Sequence, residues 1–141
     1  MHDSSKVYVL DPWPIMEWIQ NRQPSTGAID QLLALAIQGK ARLLISDINY
    51  GEVLYSYWRK FSPQEASRVL ADIEALPIET VAVKHSHVEE ASRTKAVVSA
   101  SYPDCFAAAL ALHRNAQLVT GDPEMLRISS VSAVQLHWLG A

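Results

Sequence analysis

Val7-Tyr8-Val9-Leu10-Asp11-Pro12 is a short apolar, β-branched run that stops at an aspartate–proline pair. Such a run reads as a buried strand ending in a turn, because both faces are apolar and proline cannot continue a ladder. The same pattern returns at Leu118-Val119-Thr120-Gly121-Asp122-Pro123. Between the two, the signals alternate. Apolar residues recur at helical spacing from Ile15 to Ile19 and from Ile29 to Ile37,. Leu43 to Ile45 reads as a second buried strand, after which Ser46 or Asp47 can cap a helix to about Lys60,. Ser62-Pro63-Gln64-Glu65 is a capping-box signature opening a helix to about Leu76, and Ile78 to Val83 reads as a strand,. Ser86-His87-Val88-Glu89 is a second capping-box candidate, and the alanine-rich stretch Pro103 to Asn115 is strongly helical,. A short helix and a last strand, about Ala133 to Trp138, complete the pattern. Strands alternating with helices imply a mostly parallel central sheet flanked by helices, a three-layer α/β sandwich. In such sheets ligands collect at the carboxyl ends of the strands, where Asp11 and Asp122 both fall.

Composition narrows the functional class. The 141 residues are 49% hydrophobic and 19% charged, a globular balance that fits one domain spanning 1–141,. No apolar run approaches the ~18 residues that would span a bilayer, and the polar start Met1 to Lys6 does not resemble a signal peptide,. The expectation is a cytoplasmic protein. The single cysteine, Cys105, has no disulfide partner and reads as a small buried hydrophobe,. Twelve lysines and arginines against fifteen acids give a net charge of −3. A protein that held nucleic acid mainly by neutralising phosphates would be basic. Nucleic acid is therefore a poor substrate for this chain unless metal ions supply positive charge. Lys40/Arg42, Arg59/Lys60 and Arg93/Lys95 are small basic clusters of the kind found at solvated helix ends,.

Four carboxylates stand out: Asp11, Glu52, Asp104 and Asp122. Each has an ordinary structural explanation. Asp11 and Asp122 precede prolines and can be N-caps; Asp104 lies in a first helical turn, where the helix dipole favours an anion. Glu52 can be a solvated helix residue, although it sits in an otherwise uncharged run from Ile48 to Trp58. Together they suggest more. Two end buried strands and two lie near the starts of helices, so the fold brings them toward one place. Converging carboxylates repel unless a cation neutralises them, and hard oxygen donors suit Mg²⁺ or Mn²⁺. Such a site can activate water against a phosphodiester.

The segments carrying these residues are Val7-Tyr8-Val9-Leu10-Asp11, Ile45-Ser46-Asp47-Ile48-Asn49-Tyr50-Gly51-Glu52-Val53, Asp104-Cys105-Phe106-Ala107-Ala108-Ala109-Leu110-Ala111 and Leu118-Val119-Thr120-Gly121-Asp122-Pro123-Glu124. In order and spacing, across nearly the whole chain, they resemble the four acidic motifs of VapC-type PIN-domain toxins. The resemblance implies a PIN-like three-layer sandwich and a Mg²⁺- or Mn²⁺-dependent endoribonuclease acting as the toxin of a toxin–antitoxin pair. It also implies RNA as substrate, a homodimer and a small cognate antitoxin that blocks the site. By position, Asp11, Glu52, Asp104 and Asp122 carry over as catalytic residues and metal ligands, and Thr120 as a supporting hydroxyl that orients a carboxylate. The family commonly has Ser or Thr directly after the first aspartate; this chain has Pro12 and Trp13. That departure keeps open an alternative, a catalytically weak or inactive PIN scaffold that binds RNA or a protein partner.

The remaining residues suggest little chemistry. His2, His85, His87, His113 and His137 are scattered, and Cys105 has no partner pattern for a thiol nucleophile. The five glycines form no phosphate-cradling loop,. A phosphotransferase using Asp11 as nucleophile, on the haloacid-dehalogenase pattern, would need a second aspartate at position 13, where Trp13 stands. Trp13, Trp18, Tyr55 and Trp58 read as core or interface residues, and the aromatic- and leucine-rich stretch Trp13 to Leu35 is the expected dimer surface,.

Overall fold

A computed structural model describes residues 5–141; His2 lies outside them. Among the described residues the order is β1 (Lys6–Leu10), α1 (Pro12–Ile19), α2 (Ser25–Ile37), β2 (Ala41–Ser46), α3 (Asp47–Lys60), α4 (Pro63–Glu74), β3 (Ile78–Val81), α5 (His85–Val97), α6 (Tyr102–His113), β4 (Gln117–Thr120), α7 (Pro123–Ser129) and β5 (Leu136–Trp138). The five strands form one sheet in the order β3-β2-β1-β4-β5, and every pairing is parallel.

Alternation along the strands separates the two cores. Val9, Leu44 and Leu118 face one side, where α5, α6 and α7 deliver Ala91, Cys105, Leu110, Met125 and Ile128. Tyr8, Leu10, Leu43, Ile45 and Val119 face the other, against Ile15, Ile29, Leu32, Val53, Tyr57 and Leu70 from α1 to α4. Side chains in a strand alternate with a period of two, so one sheet feeds two layers of helices. This is the expected three-layer sandwich, with the sheet wholly parallel. Cys105 is fully buried, as a small hydrophobe would be.

Helix α6 is unusual in being buried all round: Ala107, Ala108, Ala109 and Ala111 are each fully inaccessible. A helix apolar on every side belongs in a core, and alanine allows it to lie close to the sheet. That burial fixes the position of its first turn, which carries Asp104.

Three boundaries differ from the sequence reading. The helix expected to reach Leu76 ends at Glu74, with Ala75 as C-cap. The strand expected over Ile78–Val83 pairs only to Val81, because its partner β2 ends at Ser46, the residue opposite Val81. The capping box expected at Ser86 is displaced. Helix α5 begins at His85 with Lys84 as its cap residue, and the His87 ring Nδ1 accepts the Lys84 backbone N–H at 3.1 Å. An imidazole at the third helical position thus takes the acceptor role that the sequence seemed to give the Glu89 carboxylate,.

Candidate metal centre

In the strand order, β1 has β2 and β3 on one side and β4 and β5 on the other. The chain winds outward from β1 and then returns to its opposite flank. Adjacent connections therefore leave the sheet in opposite directions between β1 and β4, and a crevice opens there. Asp11 follows β1 directly and Asp122 lies two residues beyond β4.

Both are helix caps, as the local sequence indicates. An Asp11 carboxyl oxygen accepts the Trp13 N–H at 3.0 Å, and an Asp122 oxygen accepts the Glu124 N–H at 3.0 Å. Asp104 stands in the first turn of α6, whose cap Ser101 accepts the Asp104 N–H at 3.2 Å. The ordinary structural roles are real, and yet the three side chains also meet. One carboxylate oxygen from each of Asp11, Asp104 and Asp122 lies within 4.8 Å of the others. Asp11 and Asp104 are 1% and 5% exposed, whereas Asp122 is half-buried. Glu52 is not in this trio, but its charge acts on the site; repulsion from Asp122 helps to raise its own pKa and it raises that of Asp11.

Thr120 is fully buried between two of the acids. Its hydroxyl donates to the second Asp11 oxygen at 2.6 Å and accepts the Asp122 backbone N–H at 3.0 Å. One hydroxyl thus links the end of β1 to the turn after β4. Trp13 adds a second link. Its indole lies against Gly121, where a Cβ would overlap the ring, so only glycine admits the tryptophan there,.

The electrostatics match burial without a counter-charge. Burial is the main cause that pushes the Asp11 carboxyl up to about 7, against the Thr120 hydroxyl and Trp13 amide that favour its charged form,. Burial also dominates at Asp104, which rises to about 8, helped by its hydrogen bond with Glu124 and by Asp122 and Asp11. Glu124 moves the opposite way, held low chiefly by that same bond to Asp104. Glu52 is raised by burial, partly offset by an amide hydrogen bond from Asn49. Among the described residues, no lysine or arginine forms a salt bridge with Asp11, Asp104 or Asp122.

A family model for the PIN domain matches residues 8–131. The chain belongs to the PIN domain family. Solved structures agree on the fold. VapBC2 from Rickettsia felis bound to a promoter DNA fragment superimposes with a TM-score of 0.73 at 17% identity, covering 93% of this chain and 97% of that one. DNA-bound VapBC from Salmonella typhimurium gives 0.72 at 17% identity, over 94% and 97%. VapC20 from Mycobacterium tuberculosis, described as a sarcin–ricin loop cleaving toxin, gives 0.66 at 14% identity, over 89% and 95%. A search of curated protein sequences finds no match. The PIN domain therefore has the expected fold, and its carboxylate trio lies within the matched segment.

Two polar residues of this PIN domain's crevice, Glu124 and Asn49, lie in the motif segments with no role evident from the sequence. Glu124 hydrogen-bonds Asp104, and its position two residues after Asp122 was the available signal. Asn49 is fully buried and hydrogen-bonds Glu52; the spacing of three places both on one face of α3,. Ser101, the cap of α6, was legible from Ser101-Tyr102-Pro103-Asp104, which repeats the pattern at Ser62. Of the histidines, His87 and His113 form an edge-on pair away from the acids, with ring centroids 5.0 Å apart.

Proposed function

We propose that this PIN domain is a Mg²⁺- or Mn²⁺-dependent endoribonuclease, the toxin of a toxin–antitoxin pair acting in the cytoplasm. Asp11, Asp104 and Asp122 are its cation ligands, Glu52 contributes, and Thr120 supports Asp11. The observation that carries the proposal is the convergence of three aspartates, two of them buried, at the switch point of a parallel sheet, with no salt-bridging lysine or arginine among the described residues. The donor set fits the ion. All donors are hard carboxylate oxygens, and the rim stays open at Asp122, which suits a small divalent cation that keeps water and takes phosphate oxygens as further ligands,. A bound divalent cation supplies Lewis-acid activation and neutralises charge developing on a phosphodiester.

The chain's own groups provide the rest. Thr120 and the Trp13 amide fix both oxygens of Asp11, so the ligand costs little further ordering on binding. Glu124 holds the Asp104 carboxyl against Ser101 and the first turn of α6. Thr120 also offers the hydroxyl that position 12 lacks, and this favours an active enzyme over an inert scaffold. Without a cation the crevice repels RNA; with one it attracts phosphate. That resolves the acidic composition.

An antitoxin partner is inferred from the VapBC complexes among the similar structures. An arginine-bearing peptide would complement the acidic crevice. For the homodimer we infer a surface on α3 in place of the Trp13–Leu35 stretch. Ile15, Ile29, Leu32 and Leu33 of the Trp13–Leu35 stretch pack inside, whereas Ile48, Tyr55 and Trp58 form an exposed stripe on α3. Trp58 is 62% exposed. Homodimerisation is expected through that stripe, and light scattering across a dilution series tests it.

The decisive experiment incubates RNA with the purified chain in Mg²⁺, Mn²⁺ or EDTA. Cleavage in either metal and none in EDTA is expected. Metal-independent RNA binding without turnover would instead identify a scaffold.

A further inference from the structure

Asn49 is a polar residue with no exposure, set in the first turn of α3 immediately before Tyr50 and facing the core. Its Nδ2 donates twice, to a Glu52 carboxylate oxygen at 2.9 Å and to the Pro103 carbonyl at 3.0 Å. The second bond spans 54 residues of sequence and ends on the peptide directly before Asp104. One amide therefore joins the α3 carboxylate to the turn that carries an α6 carboxylate. Its Oδ1 is buried with no hydrogen-bond partner. Burying an amide and leaving its acceptor unpaired is unfavourable, so stability alone does not explain an asparagine here. An apolar residue of similar volume would fill the space without that cost. The reciprocal contacts between α3 and α6 leave the amide as the polar link between the helices bearing Glu52 and Asp104.

We propose that Asn49 is a positioning residue that sets Glu52 relative to Asp104 for cation binding. This rests on the metal-centre reading above and assigns a role to a side chain outside it. The amide anchors Glu52 by one hydrogen and the start of α6 by the other. Glu52 is thereby held where its charge reaches Asp11 and Asp122 without entering the tight aspartate trio. Outer groups that orient metal-binding carboxylates act in this way, and removing one lowers affinity about 10–100-fold.

The test uses the full chain. Mn²⁺ is titrated calorimetrically into wild type, Asn49→Leu and Asn49→Asp, and thermal unfolding in EDTA reports the fold of each. Leucine has similar volume and no donor; aspartate keeps the shape and also has no donor when ionised. The expected result for Asn49→Leu is Mn²⁺ affinity about tenfold or more below wild type, with a melting temperature in EDTA within a few degrees of wild type. RNA cleavage at saturating Mn²⁺ should show the deficit in kcat rather than KM, since Asn49 does not face substrate. If Asn49→Leu does not fold, Asn49→Asp carries the test on the same terms. Wild-type affinity in a folded variant overturns the proposal, as does a loss of melting temperature that accounts for the whole loss of binding. A wild type that binds no Mn²⁺ overturns the metal-centre reading, and the positioning role with it. Asp11→Asn in the same titration separates the two, because it removes a ligand and leaves the Asn49 bonds intact.

Discussion

Glu79 and Asp11 are carboxylates held by the same sheet, and their surroundings push them in opposite directions. Glu79 lies on the edge strand β3, where the Arg42 guanidinium of β2 donates two hydrogen bonds to it at 2.9 and 3.0 Å. That pairing holds Glu79 below its ordinary range. Asp11 lies at the carboxyl end of the central strand, buried, with Asp122 and Glu52 as charged neighbours, and it is pushed up to about 7. One acid arrives in the folded state with its counter-charge. The other is folded into a place that penalises its charge. The difference marks the crevice in which the proposed cation would supply the missing counter-charge, and each prediction below either breaks or sharpens that contrast.

The largest effect should come from Asp11→Asn and Asp104→Asn. Asparagine caps a helix about as well as aspartate, so capping alone would leave Asp11→Asn nearly wild type, and the first-turn charge of Asp104 is worth only about 0.3–1 kcal/mol,. Loss of a ligand predicts RNA cleavage in Mn²⁺ reduced by about 100-fold or more, since even outer-shell changes cost 10–100-fold. Cleavage assays with matched protein concentrations measure it. Two active Asp→Asn variants, with no Mn²⁺-dependent shift in melting, would sink the nuclease reading. The equivalent change at Glu79 should leave cleavage unaltered.

Next in size is Thr120→Val. The two side chains have nearly the same shape, but valine neither donates to Asp11 nor accepts the Asp122 amide. We expect Mn²⁺ affinity to fall about tenfold, and stability by about 1–3 kcal/mol because buried polar partners are left unpaired. Calorimetric titration and urea unfolding measure the two separately. Unchanged metal affinity would reduce Thr120 to a strand residue.

This layering also explains what was legible in the sequence. The strand–aspartate–proline runs at Asp11 and Asp122 were readable because strand ends, turns and caps are local, and the alternation of elements indicated a mostly parallel sheet flanked by helices. The convergence of Asp104 on the other two depended on α6, whose alanines let it pack close to the sheet; burial of that kind is nonlocal. Asn49 and Glu124 escaped notice for a related reason. Their partners, the Pro103 carbonyl and Asp104, are far along the chain and become neighbours only when α3, α6 and α7 meet. The aromatic residues left a choice open in the sequence, core or interface. Tyr57 is buried whereas Tyr55 and Trp58 are exposed, and spacing alone does not tell which face of α3 meets the sheet.

A smaller effect concerns pH in the absence of metal. Asp11 and Asp104 have folded-state pKa values raised from 3.8 to about 7 and about 8. A group raised on folding contributes stability that is fully present below its unfolded pKa and is lost as pH rises through the folded value. In EDTA, the wild type should therefore lose stability relative to Asp11→Asn between about pH 4 and pH 7. The melting temperature of Asp11→Asn should exceed that of wild type by several degrees at pH 8 and match it near pH 4. Saturating Mn²⁺ should reverse the order, because only the wild type keeps the full ligand set. Melting curves at four pH values, with and without Mn²⁺, decide it. A constant difference at all pH values would mean that Asp11 burial carries no penalty.

The smallest effect belongs to the opposite corner of the comparison. Arg42→Ala removes the guanidinium that holds Glu79 low, on a pair whose side chains are 38% and 52% exposed. Solvent and salt screen such pairs, so the expected loss is about 0.2–1 kcal/mol, or roughly 1–4 °C in melting temperature. Its pH dependence runs the other way from the crevice. Glu79 is lowered on folding, so its contribution is present above the ordinary carboxylate value of 4.5 and disappears as pH falls through the folded value,. The gap between wild type and Arg42→Ala should thus be widest at pH 7 and close toward pH 3, in 50 mM salt more than in 1 M. Mn²⁺ should not alter it, because Arg42 and Glu79 lie toward the edge of the sheet and contribute no ligand. If Mn²⁺ did close that gap, the cation would be acting on the whole sheet rather than at the Asp11 crevice, and the contrast drawn between the two carboxylates would no longer locate the site.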